Sequence, residues 1–244
     1  MLPSGRLRVL GRLADASNGT FLVLDDDDAA WVYKPVAGEV PLWDFPRRTL
    51  SRREVAAYAI SEALGLGVVP LTVWHDGPAG EGSLQRWVDA PRTGLVDLRR
   101  PEDLTQDWLP VVAGVDGDDL PVVLCHRDDR RLRAMALFDA VINNSDRKAA
   151  HVLEDGEVLR GVDHGVSLHV EPKLRTVLWG FAGSPFTVGE LAVLDEAAGW
   201  RLPLADGLAE EEWKALSERA RVLRAAGRFP HPGEGWPAIP WPPF

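Results

Sequence analysis

One cysteine, two methionines and four lysines are all that the 244 residues hold of those types. The lone Cys125 excludes an internal disulfide and any zinc site built on several thiolates. No apolar run approaches the roughly 18 residues that a membrane span needs. No leader-like segment follows Met1, so a reducing cytoplasm is the expected location. Excess positive charge is missing too. The formal net charge is −10, which leaves no general attraction for nucleic acid phosphates, and no nucleic acid partner is expected. A glycine-rich phosphate loop is also absent, since the first polar turn, at 14–19, holds a single glycine.

What the chain does hold is ordinary globular material, 45% hydrophobic and 26% charged. That suffices for one large domain or two small lobes. Arginine outnumbers lysine 23 to four, so Lys34, Lys148, Lys173 and Lys214 stand out. A compact ammonium suits a phosphate contact that does not need a forked guanidinium. Arginines gather at Arg47/Arg48, at Arg52/Arg53 and between Arg127 and Arg133, so a local anion site is compatible with the acidic whole.

Alternation predicts strands at 6–13, 20–24 and 30–34, the last stopped by Pro35. The four aspartates at 25–28 read as a solvated hairpin tip, because no calcium-loop ligand spacing accompanies them. A helix begins at Ser51, with Ala56, Ala59, Ile60 and Ala63 as its buried stripe and Gly65 just past its end. Strands follow at 68–74 and 83–88 around a Gly/Pro turn at 77–82. Beyond residue 90 the pattern predicts a short helix at 101–109 and a longer one at 127–142. Ala134, Leu137, Phe138 and Val141 face inward on the longer helix, and Asn143-Asn144 end it in the left-handed region. Asp155-Gly156 is a hairpin turn between strands at 151–153 and 158–162. Further helices are expected at 189–198 and 209–226. The predicted class is α+β with two lobes and a cleft between them. Residues 1–89 form a small antiparallel sheet with one helix, 90–230 a mostly helical lobe, and 231–244 a Pro/Trp-rich strap.

The segment from Asn143 to Gly165 carries the chemistry. An Asp146-x-Lys148-x-x-His151 loop leads into the hairpin, whose second strand ends at Asp163-His164-Gly165. Phosphoryl transfer needs a carboxylate to orient a hydroxyl, cations for the phosphates and a second carboxylate for a metal. The hairpin returns Asp163 toward Asp146. Ser51 and Glu54 have capping-box spacing, so Glu54 has two competing roles, at the cap or beside Lys34. No His-x-His or His-Glu-x-x-His spacing supports a metallohydrolase.

These motifs, with Tyr33-Lys34-Pro35 and Arg53-Glu54 upstream, resemble the protein-kinase-like superfamily. The likeness is nearest to the bacterial phosphatidylinositol 3-/4-kinase-related branch, with a more distant similarity to HipA-type kinases. It covers roughly residues 6–180. The resemblance implies ATP with Mg2+ or Mn2+ as cofactors, and the γ-phosphoryl group moving to a hydroxyl of a protein, small molecule or lipid. It implies Asp146 as catalytic base and Lys148 as a γ-phosphate contact. Lys34 grips phosphates and pairs with Glu54, while Ser17 and Gly19 offer backbone groups to phosphate. Val88 is placed at the adenine hinge, and Asp163 and His151 are the metal residues. His151 departs from the family's asparagine, and imidazole is a poor magnesium ligand. That departure and the missing glycine loop motivate an alternative, a catalytically impaired pseudokinase acting as a nucleotide-binding regulatory module.

Overall fold

Alternating apolar residues build the first sheet. β1 (Arg8–Arg12), β2 (Phe21–Leu24) and β3 (Ala30–Pro35) form a meander. β4 (Thr72–Gly77) and β5 (Gly80–Arg86) complete an antiparallel sheet of order β1-β2-β3-β5-β4. Val23, Trp31, Tyr33 and Leu84 close a small core on it. The structure is a computed structural model, and it describes residues 2–13, 18–91, 93–200, 208–235 and 237–244.

Two expectations for this sheet need correction. Pairing of β4 starts at Thr72 rather than at 68, because Val68 and Val69 are drawn into the larger core. β5 starts at Gly80, with a turn of only Pro78-Ala79 before it. Gly82 can belong to the strand because it presses on β3, where a Cβ would come within 2.2 Å of the Lys34 carbonyl oxygen. The four-aspartate turn is not wholly solvated either. Asp25 is buried and accepts hydrogen bonds from the backbone N–H groups of Asp27 and Ala29 and from the Trp31 indole. These bonds hold its carboxyl below the usual carboxylate range against the opposing effect of burial.

Helix α1 (Leu50–Ala63) links β3 to β4 and ends with Gly65 at φ +66°. Its buried face runs through Leu50, Arg53, Glu54, Ala57 and Ile60, and Ala63 is exposed. Ala56 and Ile60 of the expected stripe are buried, but Ala59 is only half-buried and Ala63 is exposed, and the buried face extends instead toward Arg53 and Glu54. Periodicity assigns charged residues to solvent, but Arg53 and Glu54 both have buried partners. Arg53 donates to Glu212 and to the Ser167 carbonyl, 2.7 Å away. Apolar residues of α1 join one large core with those of α2 (Arg130–Ile142), α3 (Val188–Ala198) and α4 (Glu210–Ala226).

The second half carries more strand than the sequence suggested. β6 (Val96–Arg99), β7 (Trp108–Val115) and β8 (Pro121–Arg127) form a sheet of order β6-β8-β7. The helix expected at 101–109 is only a 3-10 turn over Pro101–Asp103. Residues 108–115 favour an edge strand instead, being rich in valine with Pro110 tolerated at the edge. β8 also shortens the next helix, which starts at Arg130 with Asp129 as its cap, accepting from the Arg131 N–H at 2.7 Å. α2 ends at Asn143 in the left-handed region (φ +56°), as expected. β9 (Val152–Asp155) and β10 (Val158–Gly161) form the hairpin. The class is α+β, with five strands beside the later helices among the described residues. No helix of the described residues is long and apolar enough to cross a membrane.

Candidate active site

The loop after α2 is fixed from beneath by a buried charge network. Asp139 and Arg147, both fully buried, make a bidentate pair with two bonds of 2.9 Å. The other guanidinium nitrogen donates to the His151 carbonyl (3.2 Å) and the Val162 carbonyl (3.1 Å), which tethers both ends of the hairpin. Arg147 also lies 2.7 Å from His164 Nε2. An arginine only donates, so Nε2 accepts and the imidazole proton sits on Nδ1. Burial, and then the Arg147 charge, hold His164 well below the ordinary histidine range, so the ring stays neutral. Asn144 donates from its side chain to Asp139 and accepts from the Asp146 N–H at 3.1 Å. From the far side, the Pro243 carbonyl accepts from the Ala149 N–H at 2.8 Å, and the Ala238 carbonyl accepts from Thr176 N–H and the Trp179 indole.

Lys34, at the end of β3, bridges the two halves. Its ammonium pairs with Glu54 Oε1 and, at 2.8 Å, with Asp163 Oδ1. Burial opposes the lysine charge, but Asp163 and Glu54 outweigh it and raise its pKa. The second Glu54 oxygen accepts from the His164 N–H at 3.0 Å. Glu54 therefore does not cap the helix. Glu39 fills that place, accepting from both the N–H and the hydroxyl of Ser51 at 2.8 Å. Asp163 sits at φ +61°, a left-handed backbone that aspartate tolerates at a cost of about 1 kcal/mol. The Lys34 charge lowers the Asp163 pKa below the usual carboxylate range.

Asp146, His151 and Asp163 each present one ligand atom, and these atoms lie within 4.8 Å of one another. Lys148 stands 3.5 Å from Asp146, and His151 Nε2 3.5 Å from Asp163. Burial raises the Asp146 pKa, with the Asp163 charge adding to the rise and the Lys148 charge opposing it. Burial also depresses His151 to about 4, so its nitrogen lone pair is free near neutral pH. Two carboxylates and a neutral imidazole form a donor set that fits a divalent cation, and the nitrogen suits Mn2+ better than Mg2+. With Glu54, the cleft sets three carboxylates against two ammoniums, an excess of negative charge that also favours a cation.

The remaining expected positions fare differently. Ser17 lies outside the described residues. The Gly19 N–H donates to the Gly38 carbonyl at 2.8 Å, which removes it as a phosphate donor in this arrangement. Asn18, beside it, does line the cleft with Lys34, Glu54, Asp146 and Asp163. Val88 is half-buried, just beyond the end of β5. Lys173, one of the four lysines, is buried against Asp44 at 2.6 Å. Sequence reasoning missed Asp139 and Arg147. The signal for Asp139 was a lone carboxylate between Phe138 and Ala140 in the otherwise apolar stretch 134–142.

No family model matches the chain. Protein Rv2133c of Mycobacterium tuberculosis is 47% identical over 264 aligned positions, spanning 100% of this chain and 94% of its own length. Among solved structures, the Helicobacter pylori proinflammatory kinase CtkA overlaps with a TM-score of 0.47 at 10% identity, covering 92% of this chain and 93% of that one. The Golgi casein kinase overlaps at 0.46 and 13% identity, covering 92% and 73%; its Mn/ADP-bound form gives 0.43 and 14%, covering 92% and 72%. Scores below 0.5 leave the functional reading to rest on the geometry of the site itself.

Proposed function

The chain belongs to one family with Protein Rv2133c, and we propose that it acts as an ATP-dependent phosphotransferase, moving the γ-phosphoryl group to a hydroxyl acceptor. The observation that carries this reading is the Lys34 ammonium set between Glu54 and Asp163, with the ligand atoms of Asp146 and His151 close to Asp163. We assign residues 1–89 to nucleotide binding, 90–230 to catalysis and 231–244 to a supporting strap. In this reading Lys34 holds phosphate charge and Glu54 keeps it aimed. Asp163 and His151 hold the divalent cation, which neutralises phosphate charge when bound. Asp146 orients the acceptor hydroxyl and takes its proton, an assignment its raised pKa supports, since a base nearer neutrality transfers protons more efficiently. Lys148 faces the charge that develops on the transferred group. Val88 is assigned to the adenine edge. Placement beside the phosphatidylinositol 3-/4-kinase-related branch rests on motif order alone.

ADP release from ATP with Mn2+ or Mg2+ tests the reading. Replacing Asp146 by asparagine lowers turnover by roughly two to four orders of magnitude while nucleotide affinity survives. Full activity in that variant removes Asp146 as the base. Nucleotide binding without any turnover in the natural chain identifies a pseudokinase instead.

A further inference from the structure

The loop from β3 to α1 encloses a second cavity of about 270 Å³, which meets the catalytic cleft at Glu39 and Leu50. Three features mark it as built for a ligand. Apolar side chains, Val36, Val40 and Phe45 among them, make up part of its lining. Arg47 and Arg48 also line it, and Arg48 sits at φ +66°, a strained backbone for a bulky side chain. Glu39 spends one carboxylate oxygen on Ser51, while its Oε2 is buried with no hydrogen-bond partner among the described residues. An unsatisfied buried acceptor is costly, and a donor supplied by a ligand would remove that cost. The loop is anchored from outside by Asp44, which pairs with Lys173, and by the Asp44 carbonyl bonded to His169. The cavity is therefore held open rather than collapsed.

We propose that this cavity is the acceptor subsite, taking an alcohol that also carries a phosphate or carboxylate. The proposal rests on the phosphotransferase reading. The anionic group pairs with Arg47 and Arg48. A second hydroxyl or an ammonium donates to Glu39 Oε2, and the reacting hydroxyl points across the shared wall toward Asp146. In the step itself that hydroxyl's oxygen bonds to the γ-phosphorus, the bond to the bridging oxygen breaks, ADP leaves and the proton passes to Asp146. A local cationic pair is required because the chain as a whole is acidic and repels anions.

Calorimetric titration tests it, with the full chain saturated in Mn2+ and a non-hydrolysable ATP analogue. One arm compares glycerol 3-phosphate with glycerol. A second compares a peptide with serine among glutamates against its glutamine counterpart, which separates a free small molecule from an acidic protein as the source. The anionic member of at least one pair binds measurably tighter. Arg47→Ala with Arg48→Gly weakens that binding roughly tenfold or more, the order for lost charge-assisted bonds. Glycine accepts the positive φ at 48, so this variant keeps its fold. Glu39→Gln, which retains one oxygen for Ser51, weakens it as well. The proposal is overturned if neither anionic probe binds tighter than its neutral partner, or if the arginine variant binds like the natural chain. Failure of the nucleotide analogue to bind refutes the phosphotransferase reading instead, and is scored separately.

Discussion

Replacing Asp139 by asparagine changes almost no volume and removes one buried charge, so it isolates the network beneath the loop that carries Asp146. Arg147 is wholly inaccessible to water and would keep its charge without a counterion. Breaking a buried pair by removing one partner costs about 3–5 kcal/mol. For a chain of this size each kcal/mol lowers Tm by roughly 2 °C, so a fall of roughly 6–10 °C is expected in a thermal scan. The loss also has a direction. Arg147 holds the His151 and Val162 carbonyls together, so its displacement loosens the hairpin that sets Asp163 against Asp146. Mn2+ affinity, read by quenching of tryptophan fluorescence, falls in parallel. Combining Asp139→Asn with Arg147→Met removes the uncompensated charge but orphans the carbonyls and His164, so stability returns only in part. A Tm within about 2 °C of the natural chain would refute the claim that this pair organises the site.

Lys34→Met leaves Glu54 and Asp163 facing each other without their cation, and nucleotide affinity measured by calorimetry drops roughly tenfold or more. Unchanged affinity would remove Lys34 from the phosphate site. His151 has a folded value of about 4 against an ordinary 6.5, so between those limits the unfolded chain binds a proton that the folded chain does not. Stability therefore falls as pH drops from 6.5 toward 4, and His151→Asn flattens this part of a Tm-against-pH profile. The raised Asp146 acts in the opposite sense, stabilising below the ordinary carboxylate value and losing that effect as pH rises through its folded value. An identical profile in the variant would contradict the assignment of His151 to a buried, neutral state. The same variant exchanges nitrogen for oxygen and shifts metal preference toward Mg2+, measured as the ratio of the two metal affinities. Truncation after residue 236 removes the Ala149–Pro243 bond, and exchange of the Ala149 amide with deuterium accelerates; unchanged exchange would show that the strap supports nothing.

The helices were legible where apolar periodicity governed them, as in α3, α4 and the inward face of α2. The hairpin was legible from Asp155-Gly156, and the end of α2 from Asn143. Failures came where charge goes inside. The buried face of α1 was only half read, through Ala56 and Ile60, because Arg53 and Glu54 look like solvent residues until Glu212 and Lys34 arrive from 159 and 20 positions away. Asp139 and Arg147 escaped for the same reason. β7 was misread because Pro110 and the preceding Pro101 obscure a strand whose partner, β8, lies beyond a turn. The approach of Lys34 and Asp163 was expected from motif order, but the competition for Glu54 was settled only by Glu39, which no local pattern singles out.

The bond from Ala149 to the Pro243 carbonyl has a bearing on synthesis. The ribosome makes the loop well before it makes the carbonyl that secures it. At ordinary elongation rates the wait is roughly 5 to 20 s. During that interval the nascent chain can bury α1 and α2 together, yet the Ala149 amide still lacks its eventual partner and is left to water. The loop that carries Asp146 thus gains this contact only once residues 150–243 have been made.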